Sequence, residues 1–340
     1  MATVPAFFPV SMPGNILDKV WRRNPPLSIL VLGSLAVLIV ALVGLAVDPR
    51  VITGAPAWLK PAKFAISIAI YGATLLWLLS FVSGRSRLVA FLSWGVLLTL
   101  GTELVLIVLQ VVRGFTSHFN QATPFDSAVF SVMGTLIAVL WLLNAVVAVL
   151  LLRRWFAEGP IVWGVRTGLV AGLIGMAVAF LMVRPTPEQD ALLAATGASA
   201  GIGAHAVGVV DGGAGLPVVG WSTVGGDLRA PHFIGLHALQ GLSLLGVALV
   251  RFGPGWLSMR DRTRLVGVAG MTWIALTILL TWQALRGQSV VAPDALTLTA
   301  LGVILTFATL AIVAVVMRAR EGAKAEMLLR DNLDQRPSSG

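Results

Sequence analysis

The chain alternates long apolar stretches with short polar ones, and the apolar stretches are too long for a soluble fold. Reading them by length and flanking charge gives eight runs, at about 27–47, 63–83, 88–112, 127–152, 161–183, 232–251, 264–285 and 295–317. About twenty residues at about 1.5 Å each cross the roughly 30 Å hydrocarbon layer of a bilayer as a helix. The pattern therefore predicts an all-α integral membrane protein with eight transmembrane helices. The first run follows Lys19, Arg22 and Arg23, as the apolar part of a signal peptide would. It is longer than such a segment and has no clear small-x-small cleavage site, so it reads as a retained first span.

A second pattern lies on top of the first. Gln110-Val111-Val112-Arg113-Gly114 closes one run and Gln283-Ala284-Leu285-Arg286-Gly287 closes another. Asp126 precedes Gly134 by the same spacing at which Asp294 precedes Gly302. On that register Leu92, Thr99 and Leu106 fall on Leu265, Thr272 and Leu279, and Lys63-Phe64 has a counterpart in His232-Phe233. The expectation is one four-helix unit used twice. Each half holds an even number of spans, so the two halves enter the membrane from the same side and the duplication is parallel, unlike inverted transporter repeats. The expected organisation is an N-terminal segment 1–26, a first membrane unit 27–154, a second unit 155–317 and a polar tail 318–340. The second unit carries a long glycine-rich loop, 184–231.

Composition agrees with the class: 57% of residues are apolar and 11% charged. The chain has no cysteine, which excludes disulfides, thiolate nucleophiles, zinc-thiolate sites and thiolate-held iron–sulfur clusters. Metal ligands, if used, must be His, Asp, Glu or Met. The net charge of +9 is a matter of orientation. With the N-terminus inside, all but seven of the 24 basic residues fall in cytoplasmic segments, which is the positive-inside bias. Nucleic acid is not an expected partner. The lipid bilayer is, and assembly of several copies is compatible with the pattern. The chain reads as a multi-pass protein of the plasma (inner) membrane with both termini cytoplasmic and a disordered tail after Ala319.

The seven basic residues that run against the bias are Arg50, Lys60, Lys63, Arg113, Arg184, Arg229 and Arg286. They share the extracytoplasmic side with Asp48, Asp126, Glu188, Asp190, Asp211, Asp227 and Asp294. The polar residues inside the spans also gather in the outer half, with Asn144 as the main exception. Ionisable groups in a bilayer are expensive and tend to mark sites. His118, Asp126 and Glu103 are the expected catalytic, acid–base groups. His237, His232, Arg113 and Arg286 are the expected cofactor-binding groups, with histidine for haem iron or a metal ion and arginine for propionates. Arg50, Lys63, Tyr71, Arg229, Gln110, Gln240 and Gln283 are expected to hold an anionic small molecule or a lipid headgroup, guanidinium forks being suited to carboxylate or phosphate.

Each of these has a plainer alternative. Glu103 can pair with an arginine from another helix, His232 can be merely interfacial, and His205 in the glycine-rich loop reads as structural. His232 and His237, five residues apart, point about 140° apart on an ideal helix and would not share a metal. Gly201-x-Gly203 with Gly208 has the wrong spacing and context for a dinucleotide fingerprint. The long loop mixes glycine with Ile202, Val207, Leu216 and Trp221, and so reads as an ordered cap rather than a linker.

Three functions fit this outward polarity. A membrane-embedded enzyme at the extracytoplasmic face, haem- or metal-dependent among the options, fits best. A transporter of an anionic solute fits less well, because alternating access needs a midplane site. A binding or assembly factor fits the same pocket.

Overall fold

The computed structural model describes residues 24–79, 86–153 and 159–334. Lys19, Arg22, Arg23, Arg85, Arg154 and Arg336, on which part of the charge argument rests, lie outside the described residues, as does most of the segment 1–26. In chain order the elements are α1 (Pro25–Val47), β1 (Val51–Ile52), β2 (Ala55–Pro56), α2 (Leu59–Leu79), α3 (Ser86–Arg113), α4 (Pro124–Arg153) and α5 (Pro160–Met182). Then follow α6 (Pro187–Thr196), β3 (Ala206–Val207), β4 (Gly226–Asp227), α7 (Arg229–Phe252), α8 (Met259–Leu285) and α9 (Ala295–Asp334). Among the described residues all the helices except α6 are long and apolar enough to cross a membrane, eight in all. The chain is an all-helical, multi-pass membrane protein whose spans contact lipid.

Proline marks the helix starts. It stands in the first turn of α1, α4, α5 and α6, where its missing N–H is no loss and its fixed φ suits the helix. Several threonine hydroxyls within the spans donate to the carbonyl one turn back. Thr99 donates to Gly95, Thr167 to Trp163, Thr277 to Trp273 and Thr281 to Thr277, all at 2.7–2.9 Å. That arrangement lets threonine sit in hydrocarbon without an orphan polar group.

Two features depart from the sequence reading. The long loop contains a helix, α6, started by a capping box. The Thr186 side chain accepts from Gln189 N, the Gln189 side chain accepts from Thr186 N, and Gly197 ends the helix. The tail expected to be disordered after Ala319 instead continues as α9 to Asp334. Arg, Glu, Ala, Lys, Met and Leu dominate that stretch and are all good helix formers, with no proline to stop it.

By packing, the described residues divide into two units. The first falls within Met1–Ile52, Pro56–Ser117 and Val132–Leu143, and the second within Thr53–Ala55, His118–Ser131 and Asn144–Gly340. In the first, α1 packs on α2 and α3, and α2 packs on α3. The Asn24 side chain caps α1 by accepting from Leu27 N and ties it to α3 by donating to Ser93 Oγ at 2.8 Å.

In the second unit, α5 packs on α7 and α8, α7 packs on α8, and α9 packs on α8. The α5–α7 contact is backbone on backbone. A Cβ on Gly175 would fall 2.7 Å from Gly235 Cα, one on Gly168 2.6 Å from Leu239 Cα, and one on Gly246 2.8 Å from Ile161 Cα. Small residues at these spacings are how membrane helices pack closely without a hydrophobic driving force. Trp273 of α8 adds a hydrogen bond from Nε1 to Ile234 O at 2.8 Å.

Candidate functional site

The connection between α5 and α7 is an ordered cap. β3 and β4 pair antiparallel, with Ala206 opposite Asp227. Gln189 works like a short strand: its Oε1 accepts from Gly203 N at 2.8 Å and its Nε2 donates to Gly203 O at 3.1 Å. The cap is stitched to its own unit by Ala204 N to Met182 O, Ile202 N to Phe119 O and Ser289 Oγ to Ser222 O. Gly226 lies so close to the Ala284 carbonyl that no side chain fits there.

The arginines set against the charge bias mostly meet aspartates. Arg50 donates to Asp48 from its backbone N (3.1 Å), Nε (2.9 Å) and Nη2 (2.6 Å). Arg229 repeats that clasp on Asp227 at 3.0, 2.9 and 2.6 Å, and its Nη2 also reaches Gly220 O. Arg286 pairs with Asp294 at 2.5 Å and lies over the Trp282 ring. The Arg50 hydrogen bonds hold the Asp48 carboxyl well below the usual carboxylate range, and those of Arg286 do the same for Asp294. The sequence reading takes Asp48 and Asp227 only as charges on the same side as the arginines, without pairing them, and does not name Trp58, whose indole donates to Asp48. The Asp-x-Arg spacing, present at both places, was the available signal.

The repeated Gln-x-x-Arg-Gly has a structural explanation of its own. Phe115 N donates to Gln110 O and Gly114 N to Val111 O; Gln288 N donates to Gln283 O and Gly287 N to Ala284 O. Both are Schellman caps, and the glycines take the left-handed conformation such a cap requires, with φ of +83° and +71°. The side chains within the motifs diverge. Arg113 donates to Gln110 Oε1 and stacks on Phe115, whereas Gln283 Nε2 donates to Ser289 O. Asp126 and Asp294 also differ. Asp126, fully buried, is bonded to the Thr123 hydroxyl at the start of α4, and Asp294 caps α9 by accepting from Thr297 N.

All four histidines belong to the second unit. His205 Nδ1 lies 2.8 Å from Asp211 Oδ2, and the same carboxylate accepts from the backbone N–H groups of His205 and Ala206. Burial opposes ionisation of Asp211, but the hydrogen bonds and charge of the His205 ring, together with the backbone donors, bring its pKa down to about 2. The His205 ring meets Phe119 edge-on at 4.8 Å, and Phe119 also meets His118 and Phe130. His232 Nδ1 lies 2.8 Å from Gly175 O, at the glycine contact of α5 and α7. The His237 ring centre lies 4.2 Å from that of Phe233, which meets Trp221 of the cap edge-on, and Gln240 follows one turn along α7. Among the described residues no group of three or more potential ligands is gathered for a metal ion.

Glu103, Gln110, Arg113, Arg50, Lys63 and Tyr71 belong to the first unit. Lys63 and Tyr71 are half-buried on α2. Glu103 is 1% exposed inside α3. The three groups expected to work as catalysts are thus divided: His118 and Asp126 in one unit, Glu103 in the other.

No protein-family model matches the chain, and no curated protein or solved structure matches it either.

Proposed function

We propose that the protein is a membrane-embedded enzyme acting at the extracytoplasmic face, with a histidine-centred site in its second unit beneath the cap. The observation that carries this reading is the anchoring of two imidazoles. A carboxylate and a carbonyl can only accept, so His205 and His232 both carry their proton on Nδ1. In the neutral rings this makes Nε2 the basic nitrogen, the arrangement used both by general bases and by histidines that ligate metals or haem iron. His237 and His118 complete the set, each against a phenylalanine. An anion-binding or transport role draws less support, because Arg50, Arg229 and Arg286 already meet aspartates.

The same reading places both termini in the cytoplasm and the chain in the plasma (inner) membrane as a parallel duplication. Three parallels between the units support the duplication. The leading helix packs on the next two spans in each, the Asp-x-Arg clasp recurs, and both Gln-x-x-Arg-Gly motifs end in a Schellman cap.

The test is to purify the full chain in mild detergent and record oxidised and dithionite-reduced visible spectra for the wild type and for His205→Asn, His232→Ala and His237→Ala. A Soret band lost on removing His232 or His237 establishes haem and a redox enzyme. A colourless protein directs the reading to acid–base chemistry, followed by a thermal-shift screen of small molecules. If the protein is colourless and no stabilising compound depends on any of these histidines, the site is not there.

A further inference from the structure

One charged side chain of the second unit takes no part in the site just described, and it lies at the other end of α5. Arg166 stands six residues after Pro160, about 9 Å along the helix from its start, whereas the cap joins the far end at Met182. Gly164 and Gly168 face α7, so Arg166, two residues from each, projects from the opposite side of α5. It shares that side with Trp163 at i−3 and Val170 at i+4, both exposed. Its Nε is enclosed without a hydrogen-bond partner, and among the described residues its guanidinium makes no ion pair. At the same end of the unit, Asp261 is already taken, accepting from Arg264 at 2.9 Å and from the Ser258 hydroxyl. Arg262 shows the alternative that Arg166 lacks, since it donates to the carbonyls of Val250, Gly253, Pro254 and Leu257. Arginine cannot shed its charge, and an enclosed charge needs a partner.

We propose that Arg166 anchors a phospholipid, with the headgroup phosphate as its ligand. Phosphate supplies both the acceptor oxygens and the negative charge that the guanidinium does not find within the described chain. The groups on this side of α5 match the parts of such a molecule in order. Trp163, nearer the helix start, suits the headgroup level, where indoles concentrate. It lies over Gly267 of α8, where a Cβ would come within 3.7 Å of its ring. Val170, one turn deeper than Arg166, offers hydrocarbon to an acyl chain. Between them the arginine carries its charge back towards the interface on an apolar stem. The headgroup is anionic rather than zwitterionic, because Arg251 and Arg260 stand exposed at the same end and repel a choline. A free phosphate ion carries the same oxygens but no chain, and experiment separates the two.

The test is native mass spectrometry of the full chain, released from mild detergent after incubation with dioleoyl phosphatidylglycerol, dioleoyl phosphatidylcholine or inorganic phosphate. The expected result is phosphatidylglycerol retained in preference to phosphatidylcholine, with no phosphate adduct. Arg166→Gln should lower that retention about fivefold, the worth of one basic residue at a membrane surface, and Arg166→Lys should restore part of it. Arg184→Gln, at the cap end of α5, should leave it unchanged. Equal retention of the two lipids by the wild type, or undiminished retention in Arg166→Gln, overturns the proposal. Phosphate held as firmly as lipid assigns the site to a soluble anion and overturns it too. If Arg166→Gln does not fold, Trp163→Ala takes its place: it keeps the guanidinium, removes the ring at headgroup level, and is equally decisive if retention does not fall. The outcome is independent of the histidine site, which lies beneath the cap at the other end of α5.

Discussion

Asp211 is held by donors from three directions, and its ionised form is part of the cap's structure. Its folded pKa of about 2 lies below the ordinary 3.8. The sign follows from that order: the stabilisation is complete above about pH 4 and is lost as pH falls towards about 2. The contribution is on the order of 1–2 kcal/mol once solvent screening is allowed for. Asp211→Asn is expected to remove this acid-sensitive step and to speed amide exchange at His205 and Ala206, read by hydrogen-exchange mass spectrometry. Unchanged exchange there would show that the carboxylate does not organise the cap. Asp227 is more deeply committed, because it accepts from Ser222 N as well as from Arg229. Asp227→Ala leaves a guanidinium beside a vacated, buried pocket and is expected to cost about 3 kcal/mol. Its thermal midpoint in detergent should fall clearly, whereas that of Asp190→Ala, on the exposed face of α6, should not move.

Helix ends and helix contacts carry most of what was legible in the sequence. Span positions follow from hydropathy because an apolar run of that length has few other uses, and seven of the eight spanning helices end within a few residues of the expected places. The cap helix α6 was hidden because it is short and polar, so only the Thr186–Gln189 box and Gly197 announce it. The close contact of α5 with α7 was legible in principle. Gly164, Gly168, Gly172 and Gly175 stand at small-residue spacing, but their partner helix is not named by sequence. Gly175→Leu should push the helices apart and abolish monodisperse purification, while Gly134→Leu, at a glycine with open space around it, should be tolerated. Gly114→Ala and Gly287→Ala should each cost about 1 kcal/mol, since both force an alanine into the left-handed region. A neutral result at either position would mean that the cap relaxes without penalty.

For the molecule as a whole, eight crossings require Val210 in the cap and Leu328 near the end of α9 to lie on opposite sides of the membrane. Both side chains are exposed, and the chain has no cysteine of its own. Val210→Cys and Leu328→Cys, labelled one at a time with an impermeant maleimide on intact cells, should give label at 210 and none at 328. Label at both, or the reverse pattern, would overturn the assignment of sides. The candidate chemistry was less legible than the topology, for a physical reason. A list of polar residues at span ends does not distinguish groups that bind something from groups that finish a helix. Asp126, Asp294 and Gln283 all have such finishing roles. His205 read as structural because the sequence separates it from Asp211 by a turn whose folding it does not spell out.

α9 is held at its start, where Arg286 and the N–H of Thr297 hold Asp294 and the Thr297 hydroxyl donates to Gln288, and again at Arg320, whose guanidinium lies 5.3 Å from the centre of the Trp256 ring. It runs as one unbroken helix of 40 residues, about 60 Å long and roughly twice the hydrocarbon thickness. Along most of that length it faces away from the rest of the chain. Its two points of attachment, at Asp294 and at Arg320, stand 26 residues apart, about 39 Å along the helix. α9 is therefore a strut: a stiff helix joining the Arg286 end of α8 to the α7–α8 connection, so that a shift at one attachment is carried to the other.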